Sequence, residues 1–405
     1  MPELESLPQE VKDQLAGIGT PDVVIGLTSL KSADDLTWAA DAGKSGLNVL
    51  IAYPGGGDVI EFQPISGVRL LRYPVSAPER YFNAPASIFG SFLEVLQISQ
   101  RLDSKACCVW NSGPQTSSAG IFAQMTQPVL EQKFDLVVAN YIQAKWGALV
   151  NSSIICPLTR ALYGRRIQFP MAVDLAFSSR MVARLIQSDP GSRLPRAQHW
   201  IATEAICGGM QICQAALPME PPRPPESADL SSILAAVLSR IFSDLDRNAS
   251  FWQRSAESQF VPIFGEFQIK EQDEVTVDVQ QLIETFQLGY RNLTEIWGLA
   301  LSPATLMELK KLVRVSPAEF RVADDLWVRV VFEFALAHRQ RAINREHLLR
   351  AMTPLYLAWV ASYTLQMQGP SAESFQNRLE RLALTYENHK PYLLSRWRWP
   401  DRFNP

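Results

Sequence analysis

The stretch DVVIGLTSL, at residues 22–30, is a short continuous run of apolar and β-branched residues. Such runs are typical of strands that are buried on both faces of a sheet. Four further runs of this type lie at residues 47–53, 68–73, 106–110 and 135–141. Helix-compatible segments separate the runs near residues 33–44, 85–101 and 117–132. This alternation at this spacing predicts a largely parallel sheet that is covered by helices.

The second half of the chain changes character at PMEPPRPPES, residues 218–227, where five of ten residues are proline. Before it, extended pieces are predicted near Pro170–Phe177 and Gln211–Leu217. After it, apolar residues recur at helical spacing, as in the stripe from Leu348 to Tyr363, in which we expect a kink at Pro354. We therefore predict four segments: an N-terminal tail at 1–21, an α/β domain at 22–217, a linker at 218–227 and an all-helical C-terminal subdomain at 228–405.

Composition and charge exclude several classes of protein. The chain has 405 residues, 47% apolar and 20% charged, with a formal net charge of −3, so it is of globular type and nothing global indicates a nucleic-acid partner. The five cysteines form no C-x-x-C pair, which argues against a zinc site or a disulfide framework. The acidic N-terminus lacks the features of a signal peptide, and the longest quasi-apolar run, Leu355 to Leu365, is about half of a bilayer span. We expect a cytoplasmic protein.

Common catalytic motifs are missing from the sequence. It contains no G-x-x-x-x-G-K-[ST], no G-x-G-x-x-G after the first strand, no G-x-S-x-G and no H-E-x-x-H. PGGGD, at residues 54–58, directly follows the second strand, at the end where open α/β sheets bind ligands. Its glycines allow backbone amides to approach a ligand closely, and the alternative is a flexible turn.

Two other segments carry chemistry-bearing residues. NSSIICPLTRALYGRR, residues 151–166, ends in a basic cluster of Arg160, Arg165 and Arg166. Such a cluster is suited to holding a phosphate or carboxylate, and it equally suits a solvated helix end. Asp174 is embedded in the apolar stretch PMAVDLAFS, where an unpaired carboxylate is costly and needs a partner or a function.

With these segments the chain resembles family-2-type glycosyltransferases of the nucleotide-sugar (GT-A) fold, in particular the mannosylglycerate and glucosyl-phosphoglycerate synthases. The resemblance rests on the first strand, on PGGGD, FDLVVANY, PLTRALYGRR and PMAVD, and on the helical segment MTPLYLAWVASYT. It implies a GT-A sheet, a sugar-nucleotide donor, a small anionic acceptor of the glycerate or phosphoglycerate type, and Mg²⁺ or Mn²⁺.

The resemblance also implies roles for individual residues. Nucleotide binding is expected of Thr28, Ser29, Gly55, Gly56 and Asp58. Sugar or acceptor binding is expected of Lys145, Thr159, Arg160, Asp174, Trp200 and Glu204. In an active enzyme Asp174 would be the catalytic candidate that orients the donor sugar, while Lys145 and Arg160 would hold the anionic acceptor.

The sequence departs from the family at the metal site. The D-x-D loop of the family falls at Asn111, Ser112 and Gly113, where no carboxylate is present. The acid beside the paired glycines falls at about Pro54, with Asp58 as the nearest substitute. The cation of the phosphate loop is missing from Asn83–Ser87, and the metal-ligating histidine is missing from 218–227. An amide and a hydroxyl do not offset the dehydration of Mg²⁺ or Mn²⁺, so we expect no metal-ligand set here.

Three interpretations follow. The first is a catalytically weakened glycosyltransferase-like protein that binds a sugar nucleotide or an anionic acceptor, as a sensor or as a partner subunit of an active paralogue. The second is an active, metal-independent glycosyltransferase. The third is an unrelated α/β binding protein. The aromatic stripes of the helical subdomain are a plausible surface for a dimer or a heteromer.

Overall fold

The computed structural model describes most of the chain. The described residues are 11, 14–15, 17–27, 36, 38–55, 64–73, 87–110, 120–188, 198–222, 229–255, 257–267, 269–270, 277–341, 343–368 and 372–398, without the side chains of 87–91, 198–200 and 372–374.

Eight strands form one mixed sheet, and four short strands form two small parallel pairs. The strands are β1 Val23–Leu27, β2 Val49–Pro54, β3 Val68–Tyr73, β4 Ala106–Trp110, β5 Leu136–Asn140, β6 Gln143–Ala144, β7 Arg165–Arg166, β8 Leu175–Ser178, β9 Ile212–Ala216, β10 Gln259–Phe260, β11 Ile263–Phe264 and β12 Ile269–Lys270. The large sheet has the order β11-β9-β5-β8-β4-β1-β2-β3. Only β8 runs antiparallel to its neighbours β4 and β5. Strands β1, β4 and β5 are buried along their whole length, as their continuous apolar runs predict. Strand β9, which lies in the predicted extended piece Gln211–Leu217, is also buried along its whole length.

Helices connect these strands and make up most of the C-terminal half. Their bounds are α1 Ala39–Lys44, α2 Ser87–Arg101, α3 Ile121–Leu130, α4 Cys156–Tyr163, α5 Ser179–Gln187, α6 Gln198–Cys207, α7 Leu230–Arg247, α8 Ala249–Trp252, α9 Val279–Ala300, α10 Pro303–Leu312, α11 Asp324–Gln340, α12 Arg345–Arg350, α13 Thr353–Met367 and α14 Ala372–Arg398. A π-helix at Asn151–Ile155 leads into α4. The prediction of a mostly parallel, helix-flanked sheet with a helical C-terminal region is confirmed. No helix of the described chain combines the length and the apolarity that a bilayer crossing requires.

The chain divides into two compact units whose boundaries interleave. The sheet unit comprises 1–142, 167–223 and 261–268, and the helical unit comprises 143–166, 224–260 and 269–405. The sequence predicts a single boundary at 218–227. In the structure, two segments lie on the other side of that division: 143–166 in the helical unit and 261–268 in the sheet unit. Residues 143–166 belong to the helical unit because α4 packs on α14, and 261–268 belong to the sheet unit because β11 extends the sheet beside β9.

Pro354 does not kink a helix. It lies in the first turn of α13, after the separate helix α12 has ended at Arg350. The missing backbone N–H of proline costs nothing in a first turn, where no intrahelical acceptor is available. The apolar stripe from Leu348 to Tyr363 is thus divided between two helices.

Gly289 of α9 packs directly against the ring of Pro354, and this contact yields a prediction. A Cβ at position 289 would lie 2.5 Å from Pro354 Cβ and 2.7 Å from Cγ. Because the ring cannot rotate away, we expect Gly289→Ala to lower the free energy of unfolding by about 2 kcal/mol through overpacking. Gly298→Ala is the matched control, since a Cβ there meets nothing within 4 Å and alanine favours the helix by about 1 kcal/mol. Urea denaturation of both variants measures the difference, and a neutral Gly289→Ala would contradict the packing.

His338 of α11 yields a second prediction, which concerns pH. The residue is 1% exposed, its ring lies 5.7 Å from the ring of Phe242, and neither ring nitrogen has a hydrogen-bond partner among the described residues. Burial, aided by Arg345 and Arg341, lowers the pKa of His338 to about 4. In the unfolded chain the imidazole takes up its proton near its ordinary pKa, so stability is present above that value and is lost as the pH falls toward 4.

The expected loss from His338 between pH 7 and pH 5 is about 2 kcal/mol of unfolding free energy. His338→Phe should flatten this part of the stability profile, whereas His347→Gln, at an exposed position, should leave the slope unchanged. Urea titrations at both pH values test it, and equal slopes in wild type and His338→Phe would exclude the histidine as the cause.

Candidate functional site

The carboxyl edge of the sheet gathers several polar residues within the sheet unit. Strands β5 and β9 are parallel, with Asn140 opposite Ala216, so both end at this edge. Strand β8 runs the other way, and therefore Asp174, just before it, lies at the same edge. Ligands of open α/β sheets bind outside the carboxyl ends of the strands. This edge is the candidate site.

Asp174 and Tyr141 form a buried pair at this edge. The hydroxyl of Tyr141 donates to Oδ2 of Asp174 over 2.8 Å, and the same hydroxyl oxygen accepts from the backbone N–H groups of Val173 and Asp174 at 3.1 and 3.2 Å. Both residues are 2% exposed. Burial, and then the charge of Asp174, raises the pKa of Tyr141 well above its ordinary value, so the phenol remains a donor at neutral pH. The acid that the sequence singled out therefore has a partner that fixes its position.

Asn140, the last residue of β5, is a buried amide. The residue is 1% exposed, and neither Oδ1 nor Nδ2 makes a hydrogen bond with the described part of the chain. An unsatisfied buried polar group costs about 1–3 kcal/mol. The neighbouring amide of Gln214 on β9 shows the usual arrangement, because its Oε1 accepts from the backbone of Gln168 and its Nε2 donates to the carbonyl of Val261. The cost at Asn140 makes it a candidate for contact with a ligand.

Gly55 is the one predicted nucleotide-binding residue within the described chain. A Cβ there would lie 2.8 Å from Nε of Arg72 and 3.2 Å from the carbonyl of Tyr73, so packing against β3 already favours glycine. Its role toward a nucleotide stays a prediction. The other predicted nucleotide-binding residues and the metal-loop positions lie outside the described residues: Thr28, Ser29, Gly56, Asp58, Asn111, Ser112 and Gly113.

Arg160 lies in the helical unit and its guanidinium is engaged. It is 5% exposed in its side chain, binds Glu387 of α14 through Nε and Nη2 at 3.1 Å each, and binds Glu380 through Nη1 at 2.6 Å. The hydrogen bond from Arg160 is the largest cause of the lowered pKa of Glu380. An anionic acceptor would have to displace one of these carboxylates. The geometry favours a structural role, and acceptor binding by Arg160 stays a prediction.

Thr159 and Lys145 also belong to the helical unit. The hydroxyl of Thr159 is fully buried and donates to the carbonyl of Ile155 over 2.8 Å, one turn earlier. Lys145 is half-buried, and its ammonium lies 5.2 Å from the ring centroid of Trp146. Arg160 is held in ion pairs, whereas Lys145 makes no ion pair in the described part of the chain. Of the two predicted cationic acceptor ligands in this unit, Lys145 is therefore the better candidate.

Glu204, by contrast, ties two helices of the sheet unit together. Its Oε1 lies 2.8 Å from Nη2 of Arg184 and accepts from the hydroxyl of Ser188 at 3.0 Å. These two contacts account for the position of the Glu204 carboxylate, and no ligand is needed to explain it. A sugar-binding role of Glu204 stays a prediction. Trp200 lies in α6, but its side chain is outside the description.

A divalent metal does not fit the residues that the structure describes. Within the described ranges no three His, Cys, Asp or Glu side chains come together as a potential ligand set. The loop that would supply the acids in the family reads Asn-Ser-Gly.

Tyr141 and Asn140 are the site residues that the sequence analysis missed. Both stand at the end of the predicted strand FDLVVANY, where the apolar run gives way to polar side chains at a carboxyl end. Their position at the end of this strand was the sequence signal that could have identified them. The environments of Tyr141 and Asn140 differ, however, because they depend on the residues that β8 and β9 place beside each of them.

Comparison with known proteins adds a distant likeness. No family model matches this chain, and no curated protein matches it. Among solved structures the chain is similar to glucosyl-3-phosphoglycerate synthase from Mycobacterium tuberculosis, solved in complex with Mn²⁺, UDP-glucose and phosphoglyceric acid. The two share 16% identity over 61% of this chain and 86% of that one, with a TM-score of 0.37. At this distance, the function of the present chain has to be argued from its own residues.

Proposed function

We propose that this protein is glycosyltransferase-like, with a sheet unit of the GT-A kind that binds a sugar nucleotide and a helical unit that contributes to binding a small anionic acceptor. Its capacity for transfer is reduced or altered. The observation that carries the proposal is the buried Asp174 carboxylate, held by Tyr141 at the carboxyl edge of a mostly parallel sheet.

The chemistry of the pair supports a hydroxyl-rich ligand. A carboxylate is an acceptor, sugar hydroxyls are donors, and a hydrogen bond to a charged group is about twice as strong as a neutral one. Tyr141 holds one oxygen of Asp174 in place, which reduces the reorganisation that a ligand would otherwise have to drive. The adjacent Asn140 offers both donors and an acceptor, the combination that a hydroxyl can satisfy.

Reduced transfer is supported by the residues that are missing. Departure of a nucleoside diphosphate develops negative charge, which family members offset with a metal ion and a cation. This sequence has no carboxylates at the metal loop and no cation at Asn83–Ser87. Without such groups the leaving diphosphate lacks electrostatic stabilisation, usually the largest contribution to this kind of catalysis.

Calorimetric titration of the full chain with UDP-glucose and GDP-mannose, with and without Mn²⁺, tests the proposal. We expect one of them to bind with an affinity that Mn²⁺ leaves unchanged. Asp174→Asn should weaken binding of that sugar nucleotide about tenfold, while binding of the corresponding free nucleotide persists. Asp103→Asn is the matched control, because Asp103 is exposed and at a φ of 50° that asparagine tolerates.

Each alternative outcome is informative. Tight, Mn²⁺-dependent binding would overturn the argument about the lost metal ligands. Transfer of the sugar to added 3-phosphoglycerate without metal, with release of the nucleoside diphosphate, would identify an active, metal-independent transferase. Failure of both sugar nucleotides to bind would overturn the proposed function and would favour a partner subunit.

A further inference from the structure

Lys145 and Trp146 form a cationic and aromatic pair in the helical unit. They lie between β6 and the π-helix, and both are half-buried. The ammonium of Lys145 lies 5.2 Å from the centroid of the Trp146 ring, and no ion pair of Lys145 occurs in the described part of the chain. An ammonium that makes no ion pair in the described part of the chain is suited to binding an anion.

The aromatic ring of Trp146 packs against α13. It meets the ring of Tyr363 edge-on at 5.7 Å, and Tyr363 stacks on Trp359 at 5.1 Å. The hydroxyl of Tyr363 donates to the carbonyl of Lys145 over 2.9 Å. One tyrosine of α13 thus positions both members of the pair, through its ring and through its hydroxyl.

The segment that follows the pair is held in an unusual backbone conformation. Ala148 has a φ of 50°, which costs a residue other than glycine about 1–2 kcal/mol. The π-helix comes next, and its Ser153 carbonyl accepts from Nε1 of Trp327 at 3.1 Å and from the hydroxyl of Tyr386 at 2.8 Å. Backbone strain and π-helical turns are concentrated at functional sites. Here the pair of Lys145 and Trp146 is fixed to α13, and the π-helix that follows it is fixed to α11 and α14.

We propose that Lys145 and Trp146 bind a ring-containing sugar that carries a negative charge, a sugar acid or a sugar phosphate. The flat indole face covers the C–H face of a pyranose ring, and the ammonium binds the carboxylate or phosphate. This rests on the proposed function, because it specifies the anionic acceptor. It narrows the acceptor from a three-carbon acid, which has no ring to cover the indole, to a cyclic sugar anion.

The test compares four probes by calorimetry on the full chain: glucuronate, glucose 6-phosphate, glucose and 3-phosphoglycerate. Glucose has the ring without the charge, and 3-phosphoglycerate has the charge without the ring. We expect at least one of the two cyclic anions to bind about tenfold more tightly than either of these. Trp146→Leu should reduce its affinity to that of 3-phosphoglycerate, and Trp146→Phe should keep part of the preference. Lys145→Met should abolish the preference over glucose, whereas Lys310→Met, at an exposed site of α10, should change nothing.

The inference is overturned if 3-phosphoglycerate binds as tightly as the cyclic anions, if Trp146→Leu keeps the preference for the ring, or if none of the four probes binds. Circular dichroism of each variant checks its folding, and Trp146→Phe gives a second measurement should Trp146→Leu unfold. The proposed function is judged separately, because sugar-nucleotide binding depends on Asp174 and is measured without these probes. Loss of one binding activity with retention of the other shows which proposal has failed.

Discussion

Arg160→Met is expected to lower the free energy of unfolding by about 3 kcal/mol. The substitution keeps most of the aliphatic length but leaves Glu380 and Glu387 facing each other without the guanidinium that binds both. Removing one partner of a buried ion pair typically costs about 3–5 kcal/mol. The lower end applies because the side chain of Glu380 is 50% exposed and that of Glu387 is 22% exposed, so water can solvate them in part.

Arg165→Met is the matched control for Arg160→Met. Arg165 belongs to the same basic cluster of the sequence, but it is half-buried and hydrogen-bonds to Gln259 and to the carbonyl of Gly164. We expect it to cost less than about 1 kcal/mol. Adding Glu387→Gln to Arg160→Met should restore part of the stability, since one of the uncompensated charges is removed. Urea denaturation measures all four proteins. A stable Arg160→Met that no longer binds an anionic acceptor would contradict the structural role and establish Arg160 as a ligand residue.

Asn140→Val is expected to raise the free energy of unfolding by about 1–2 kcal/mol and to weaken sugar-nucleotide binding about tenfold. Valine removes the unpartnered amide and suits a buried strand. Opposite effects on stability and binding are what a residue retained for function produces. If Asn140 had a purely structural role, the substitution would instead lower the free energy of unfolding of the protein.

Gln214→Val controls for the loss of a buried amide on the same face. In the register of β5 and β9, Gln214 lies opposite Val138 and Ala216 lies opposite Asn140, so the two amides are close neighbours. Gln214 is hydrogen-bonded, and its removal leaves the backbone N–H of Gln168 without its 2.7 Å acceptor. We expect Gln214→Val to lower the unfolding free energy by about 1–3 kcal/mol. Thermal unfolding and calorimetry on both variants are sufficient, and a destabilised Asn140→Val would show that the amide is satisfied in the folded protein.

The differences between prediction and structure lie in contacts rather than in elements. The sequence shows Arg160, Arg165 and Arg166 as one basic cluster. The structure separates Arg160 from the other two, because Arg160 is buried and binds two glutamates that lie 220 and 227 residues further along the chain. Glu204 stands one residue after the position, Thr203, where the resemblance implies a sugar-binding acid, and its carboxylate lies 2.8 Å from the guanidinium of Arg184. At Pro354 the sequence predicts a kink within one helix, but α12 ends at Arg350 and Pro354 lies in the first turn of α13.

The sequence by itself determined that this protein has a mostly parallel, helix-covered sheet followed by a helical half, and that no acid stands at Asn111, Ser112 and Gly113. Strand burial and helical periodicity are local properties, and the identity of a residue needs no fold to be known. Only the tertiary structure decided that Asp174 is held by Tyr141, that Asn140 is buried with no hydrogen-bond partner among the described residues, and that Tyr363 packs against Trp146. Those facts depend on which strands and helices become neighbours, and contacts between distant parts of the chain leave no periodic signal in the sequence.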